Sequence, residues 1–147
     1  MAVTAHAYPQ FMQRDLSGSA AVALGGSGDT LKVMLLSAYT YASTHATLAD
    51  VLAAGTEAAG SGYTAGGQAL TGVTLSTAAG VTSLSCANPS WSAATITAAY
   101  AVFYDAAGST NATRYPFCYW DFGGSVSSSA NTYTLTVNSA LLTWTAS

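Results

Sequence analysis

Two histidines, two cysteines and six carboxylates are the side chains in this 147-residue chain suited to holding a metal or moving a proton. His6 and His45 lie far apart. Neither has a Cys, Asp or Glu at metal-ligand spacing, such as the His-x-x-x-His of a helical site. A structural or incidental role is expected for each, with no metal and no cofactor. Asp105 and Asp121 sit toward the ends of two strand-like runs that read as one antiparallel hairpin. The two ends fall at opposite edges of such a hairpin, whereas a glycosidase pair needs carboxylates about 5–10 Å apart. Asp15 and Asp50 fall on short helical stretches and read as capping or surface groups. No serine occupies a Gly-x-Ser-x-Gly elbow. The glycine-rich run from Gly62 to Leu70 lacks the Lys-Ser/Thr ending of a phosphate loop and the glycine spacing of a dinucleotide fold, so it reads as a tight connection entering a strand. No enzymatic activity is expected.

Only 6% of residues are charged, against about 25% in an ordinary soluble domain. Solubility must then rest on hydroxyls and exposed backbone, and little opposes association with a copy or a partner. Two readings follow: a charge-poor, hydroxyl-rich β-protein, or a subunit that buries much of its surface in an assembly. The basic residues are Arg14, Lys32 and Arg114 alone, so binding nucleic acid by phosphate neutralisation is not expected. No window of about 18 apolar residues predicts a membrane-spanning helix. The start of the chain lacks the basic and apolar regions of a signal peptide, which predicts synthesis in a cytoplasm. Cys86 and Cys118 both lie in strand-like runs. Buried thiols suit a cytoplasmic origin better than a disulfide, which stays open if the two strands are neighbours.

The elements that would position these groups are short. Residues 1–10 read as an extended arm or edge strand, and Pro9 to Gly18 as a helix with Phe11, Met12 and Leu16 on one face. A short strand is expected at Ala20–Leu24, a doubly buried one over 30–37, and a helix over 47–55 with Thr47 and Asp50 as its capping box. Residues 56–62 read as loop. Strands at 70–75 and 81–86 form a half-buried hairpin across 77–80. Residues 88–91 form a turn whose Trp91 anchors the core. The centre of the domain is the hairpin of 94–104 with 115–122. A flexible loop over 123–129, a strand over 132–137 and an edge strand over 141–145 complete the chain. Six to eight short strands and two short helices predict a mainly β fold, an antiparallel β-sandwich or partly closed barrel. Residues 1–18 would be an arm with a short helix, and 19–147 a single β-sandwich domain. Alternation sends Phe117 and Tyr119 to one face of their strand and Trp120 and Phe122 to the other, as a central strand requires. Core or interface packing accounts for this aromatic set, with a sugar-stacking face as the alternative.

The succession Gly62-Tyr63-Thr64-Ala65-Gly66-Gly67-Gln68-Ala69-Leu70, then Trp91 with the run Ala94 to Asp105, then Tyr119-Trp120-Asp121-Phe122-Gly123, resembles a family of small tailed-bacteriophage virion proteins. The run Asp29 to Leu35 fits the same pattern, and the likeness covers residues 29–137. None of its motifs is catalytic. The resemblance implies a virion structural protein made in the host cytoplasm, with the major capsid protein or other virion proteins as partners and a homo-oligomeric state. A capsid decoration (cement) protein is the leading expectation, and a tail, collar or fibre-associated subunit the next. From another class, a carbohydrate-binding β-module would use Trp120 or Trp144 as its platform. For a decoration protein the expected contact with capsid or neighbour is the arm, through Val3, His6, Tyr8, Phe11 and Met12, with Tyr8 and Phe11 as anchors.

Overall fold

A computed structural model describes residues 3–18, 24 and 29–145. Most of the strand expected at Ala20–Leu24 lies outside the described residues. In chain order the elements are β1 (Thr4–Ala7), α1 (Pro9–Ser17), β2 (Leu31–Tyr39), α2 (Leu48–Ala53), β3 (Gly55–Glu57), β4 (Gln68–Ala69), β5 (Thr74–Ala78), β6 (Val81–Ser85), β7 (Ser90–Ala94), β8 (Thr97–Asp105), β9 (Tyr115–Ser127), β10 (Asn131–Thr134) and β11 (Leu142–Thr145). A single 3-10 turn, Asn111–Thr113, precedes β9.

The central hairpin is β8 against β9, antiparallel, as its β-branched and aromatic content predicts. It forms the middle of a six-stranded sheet in the order β1-β9-β8-β2-β3, with β4 pairing on β2. Every described pairing is antiparallel. The register Val33↔Phe103↔Cys118 lines one face, and Met34↔Val102↔Tyr119 lines the other. Val33 to Leu36 are all buried, so β2 is covered on both sides, as its continuous apolar run requires. Two smaller sheets, β11-β6-β5 and β10-β7, complete the fold. They join the main sheet in one apolar core: Trp120 donates its indole N–H to the Leu141 carbonyl at 3.0 Å, and Leu84, Tyr133 and Leu142 are buried with it. The fold is sandwich-like and no barrel closes.

Several boundaries differ from expectation. Residues 70–73 are not a strand, and the first hairpin is shifted to β5 and β6 around a two-residue turn. Ala79 and Gly80 have φ of 50° and 78°, which is type I′ geometry, but Ala is a rare choice there and the sequence carries no Asn-Gly signal. β5 is exposed along its whole length rather than half buried, because it is the outer strand of its sheet. Thr56 and Glu57 belong to β3 instead of a loop, and Trp91 belongs to β7 instead of a turn, although it is buried as an anchor should be. Residues 123–127 extend β9 through a wide bulge in its pairing with β8, between Ala98↔Val126 and Tyr100↔Asp121. Leu16 is exposed: five residues separate it from Phe11, which turns it well away from the buried side of α1.

The topology separates charge from its absence. Residues 58–104 and 122–147 contain no Asp, Glu, Lys, Arg or His. These segments supply all of β5, β6, β7, β10 and β11. The three basic and six acidic residues of the chain all lie on α1, α2, the six-stranded sheet and its connections. The two smaller sheets are thus free of formal charge, and the exposed positions of their strands are mostly Ser, Thr and Ala.

Candidate functional site

The segment read as an arm is hydrogen-bonded into the main sheet. Thr4 to Ala7 pair with Asp121 to Cys118, making β1 an edge strand. The Tyr8 N–H donates to the Phe117 carbonyl at 3.1 Å, and Pro9 then starts α1. Tyr8 is wholly buried and Phe11 nearly so; Phe11 meets Phe117 with ring centroids 5.9 Å apart. Met12 is half-buried, while Val3 and His6 stay exposed. The structure therefore brings Tyr8 and Phe11 into this chain's own core and leaves Val3 and His6 at its surface. A partner reaches the first pair only if the segment detaches.

A chain of hydroxyls fixes that docking. The Tyr8 and Tyr39 hydroxyls are 2.7 Å apart, and the Tyr39 hydroxyl lies 2.8 Å from His45 Nδ1. Burial drives the Tyr8 phenol far above its ordinary value, and burial pushes Tyr39 up to about 12, so both remain neutral hydrogen-bonding groups. Outside this pair, Tyr119 is flanked by two rings. His6 stacks on it at 4.8 Å and Tyr41 at 5.2 Å. His6 and Tyr41 are exposed and cover the buried Tyr119 between them, beside the docked segment. Tyr41 and His45, which no sequence spacing tied to residues 3–12, join the site because β2 runs beside the central hairpin and delivers the turn that follows it.

On the opposite face of β1, Val3 and Ala5 help line a groove of about 700 Å³. Trp120, Phe122, Tyr133 and Leu135 lie along it, with Val126, Ala140 and several Ser, Thr and Asn residues at the remaining positions and no charged residue. Trp120 is only 5% exposed and its N–H is already engaged, so its ring is not presented as a platform. Trp144 on β11 is half-buried.

The other candidate groups are occupied locally. The glycine-rich loop before β4 holds an anion belonging to this chain: Glu57 Oε1 accepts the Gly66 N–H at 2.6 Å and the Tyr63 hydroxyl at 2.9 Å. Tyr104 donates its hydroxyl to the Gly66 carbonyl at 2.7 Å. Asp50 accepts from the Ala46 and Thr47 N–H groups in the capping box of α2. Burial raises the Asp50 carboxyl, and these donors together outweigh it and hold the group below its usual range. Asp105 and Asp121 lie five residues apart along the β8–β9 ladder, since Asp121 pairs with Tyr100 and Asp105 with Tyr115. That offset is roughly 16 Å at strand rise, beyond a glycosidase pair. Cys86 and Cys118 are free and buried. Burial pushes the Cys86 thiol up to about 11 and Cys118 well above its ordinary value, so neither carries a reactive thiolate. Among the described residues, no group of three or more His, Cys, Asp or Glu side chains is placed to hold a metal ion. No described helix is long and apolar enough to cross a membrane. No protein-family model, curated protein or solved structure matches the chain.

Proposed function

We propose that this chain is a structural subunit of a tailed-phage virion, a decoration (cement) protein that binds the assembled head and stabilises it. The observation that carries the reading is the absence of charge from the two smaller sheets: none of their five strands carries a formally charged residue. Ordinary soluble domains keep charge over their surface as a barrier to association. A subunit that works by contact with neighbours gains from lacking it. A protein that binds only the assembled shell favours that state by linkage and needs no reacting group. The likeness of residues 29–137 to small virion proteins points the same way. A place on the tail, collar or fibre follows from the same surface and is the first alternative. Along the edge strand β1, the exposed His6 beside Tyr41 on one face and the exposed Val3 on the other offer the contact with the major capsid protein or another virion protein, while Tyr8, Phe11 and Met12 hold the segment in place.

A second reading, of another class, is supported by the groove beside β1. Its apolar floor and uncharged hydroxyl rim suit a neutral saccharide better than any ion.

The test is co-sedimentation of the full chain with emptied, undecorated phage heads, beside a Val3→Asp/His6→Asp variant. Saturable binding that the variant loses supports decoration through this surface. Absence of binding to heads by the unaltered chain overturns it, and binding to tails or to a glycan array instead identifies the alternative. A deletion of residues 1–10 is the poorer probe, because it removes β1 and takes Tyr8 out of the core.

A further inference from the structure

β5 is a strand edge of a kind that natural proteins usually blunt. Edges are protected by charge, proline, bulges or a covering element. Among the described residues, none of these protects β5. All five of its residues are exposed, with Leu75 46% exposed, and its register against β6 runs unbroken from Thr74↔Ser85 to Ala78↔Val81. The nearest charged residues along the chain are Glu57 and Asp105.

The hairpin determines which backbone groups are free. A two-residue turn makes Ala78 and Val81 a hydrogen-bonded pair. Alternation then directs the N–H and C=O of Thr74, Ser76 and Ala78 toward β6. Those of Leu75 and Thr77 point outward.

We propose that β5 pairs antiparallel with β5 of a second copy of this chain, about a two-fold axis at Ser76. In that register Leu75 of each copy lies opposite Thr77 of the other, and each such pair exchanges two hydrogen bonds. All four outward groups of each strand are satisfied by β5 alone. An axis at Leu75 would set Thr77 against Val73, which precedes the strand. An axis at Thr77 would set Leu75 against the turn at Ala79. On the solvent face, the row Thr143–Ser83–Ser76 continues into the same row of the second copy. No charge meets its like across the axis, and the half-exposed Leu75 side chains are covered. Strand pairing over five residues buries less than the roughly 1,200 Å² of a stable interface. The pair is therefore weak in dilute solution and strong where many copies are held side by side. This inference does not depend on the virion reading.

The test uses the full chain with Ser76→Cys. The axis places position 76 opposite itself as a non-hydrogen-bonded pair, with Cα atoms about 4.5 Å apart, within the span a disulfide bridges. The native thiols are buried and do not compete. Under mild oxidation, Ser76→Cys is expected to form a disulfide dimer far faster than Thr74→Cys, which the axis carries away from its counterpart. Adding Leu75→Lys should cut the dimer yield about tenfold. So should adding Thr77→Pro, which removes an outward N–H and no backbone bond to β6, at the loss of one exposed hydroxyl contact with Thr82 at 2.9 Å. Equal crosslinking at 74 and 76, faster crosslinking through Leu75→Cys, or a yield that neither added substitution lowers would overturn the proposal.

Discussion

Asp105 shows how a single side chain reads differently once its surroundings are known. It ends β8, is 5% exposed, and accepts the Ala107 N–H at 2.9 Å. Burial raises its carboxyl above the ordinary value, the Ala107 bond only partly offsets this, and Asp29 nearby adds to the rise. The native state therefore holds this proton more tightly than the unfolded chain does. Stability falls as pH rises through the window between the ordinary carboxylate value, about 4, and the raised one, and the full cost stands above it. Asp105→Asn keeps an acceptor for Ala107 and removes the ionisation. Its melting temperature at pH 7 should exceed that of the unaltered chain, and the gain should vanish below about pH 4, where both side chains are neutral. A gain that persists in acid would assign the effect to something other than charge. Asp50 has the opposite sign: its lowered carboxyl contributes stability above the usual carboxylate range that is lost in acid. That capping role was legible in the spacing of Thr47 and Asp50. The cost at Asp105 was not, because it depends on the burial of a strand end.

Elements were legible where the signal is local. α1, α2, β2 and the central hairpin were marked by proline, a capping box, a continuous apolar run and aromatic content. The errors fall where a distant strand decides. β7 exists because β10 pairs with it some forty residues on, and β5 starts late because the chain before it bonds elsewhere, Leu70 N–H to the Leu31 carbonyl and the Thr71 carbonyl to Ala87 N–H. The glycine-rich loop combines both cases. Its glycines announced a tight connection, but not the surface it lies on. Gly67 has φ of 67°, and a Cβ built there runs into the Val33 carbonyl and lies 2.7 Å from Met34 Cα. Both neighbours are backbone of the buried strand β2 and cannot yield. Gly67→Ala should therefore cost about 3 kcal/mol in a urea melt, well beyond an ordinary surface change. Gly80→Ala has a similar φ and nothing within 4 Å, and should cost only the conformational part, about 1 kcal/mol. Equal losses at the two positions would show that the loop does not bear on β2.

At the scale of the molecule, composition disclosed how little charge there is, and only the topology disclosed where it goes. The main sheet and its helices carry all of it, and the two smaller sheets carry none. The two sides should then respond differently to salt. A contact through charged groups weakens as the screening length shrinks from about 10 Å at 0.1 M salt to about 3 Å at 1 M. A contact through hydroxyls, backbone and Leu75 has no such term, and sulfate, which is excluded from protein surfaces, strengthens it. The yield of the Ser76→Cys dimer should therefore stay level in sodium chloride up to about 1 M and rise in sodium sulfate of equal ionic strength. A steep fall in sodium chloride would place the contact on the charged side, where His6 and Tyr41 lie, and would reassign association from β5 to the face beside β1. A level response in the crosslinking assay, with a falling one in co-sedimentation, would separate the two surfaces: one for copies of this chain, the other for a charged partner.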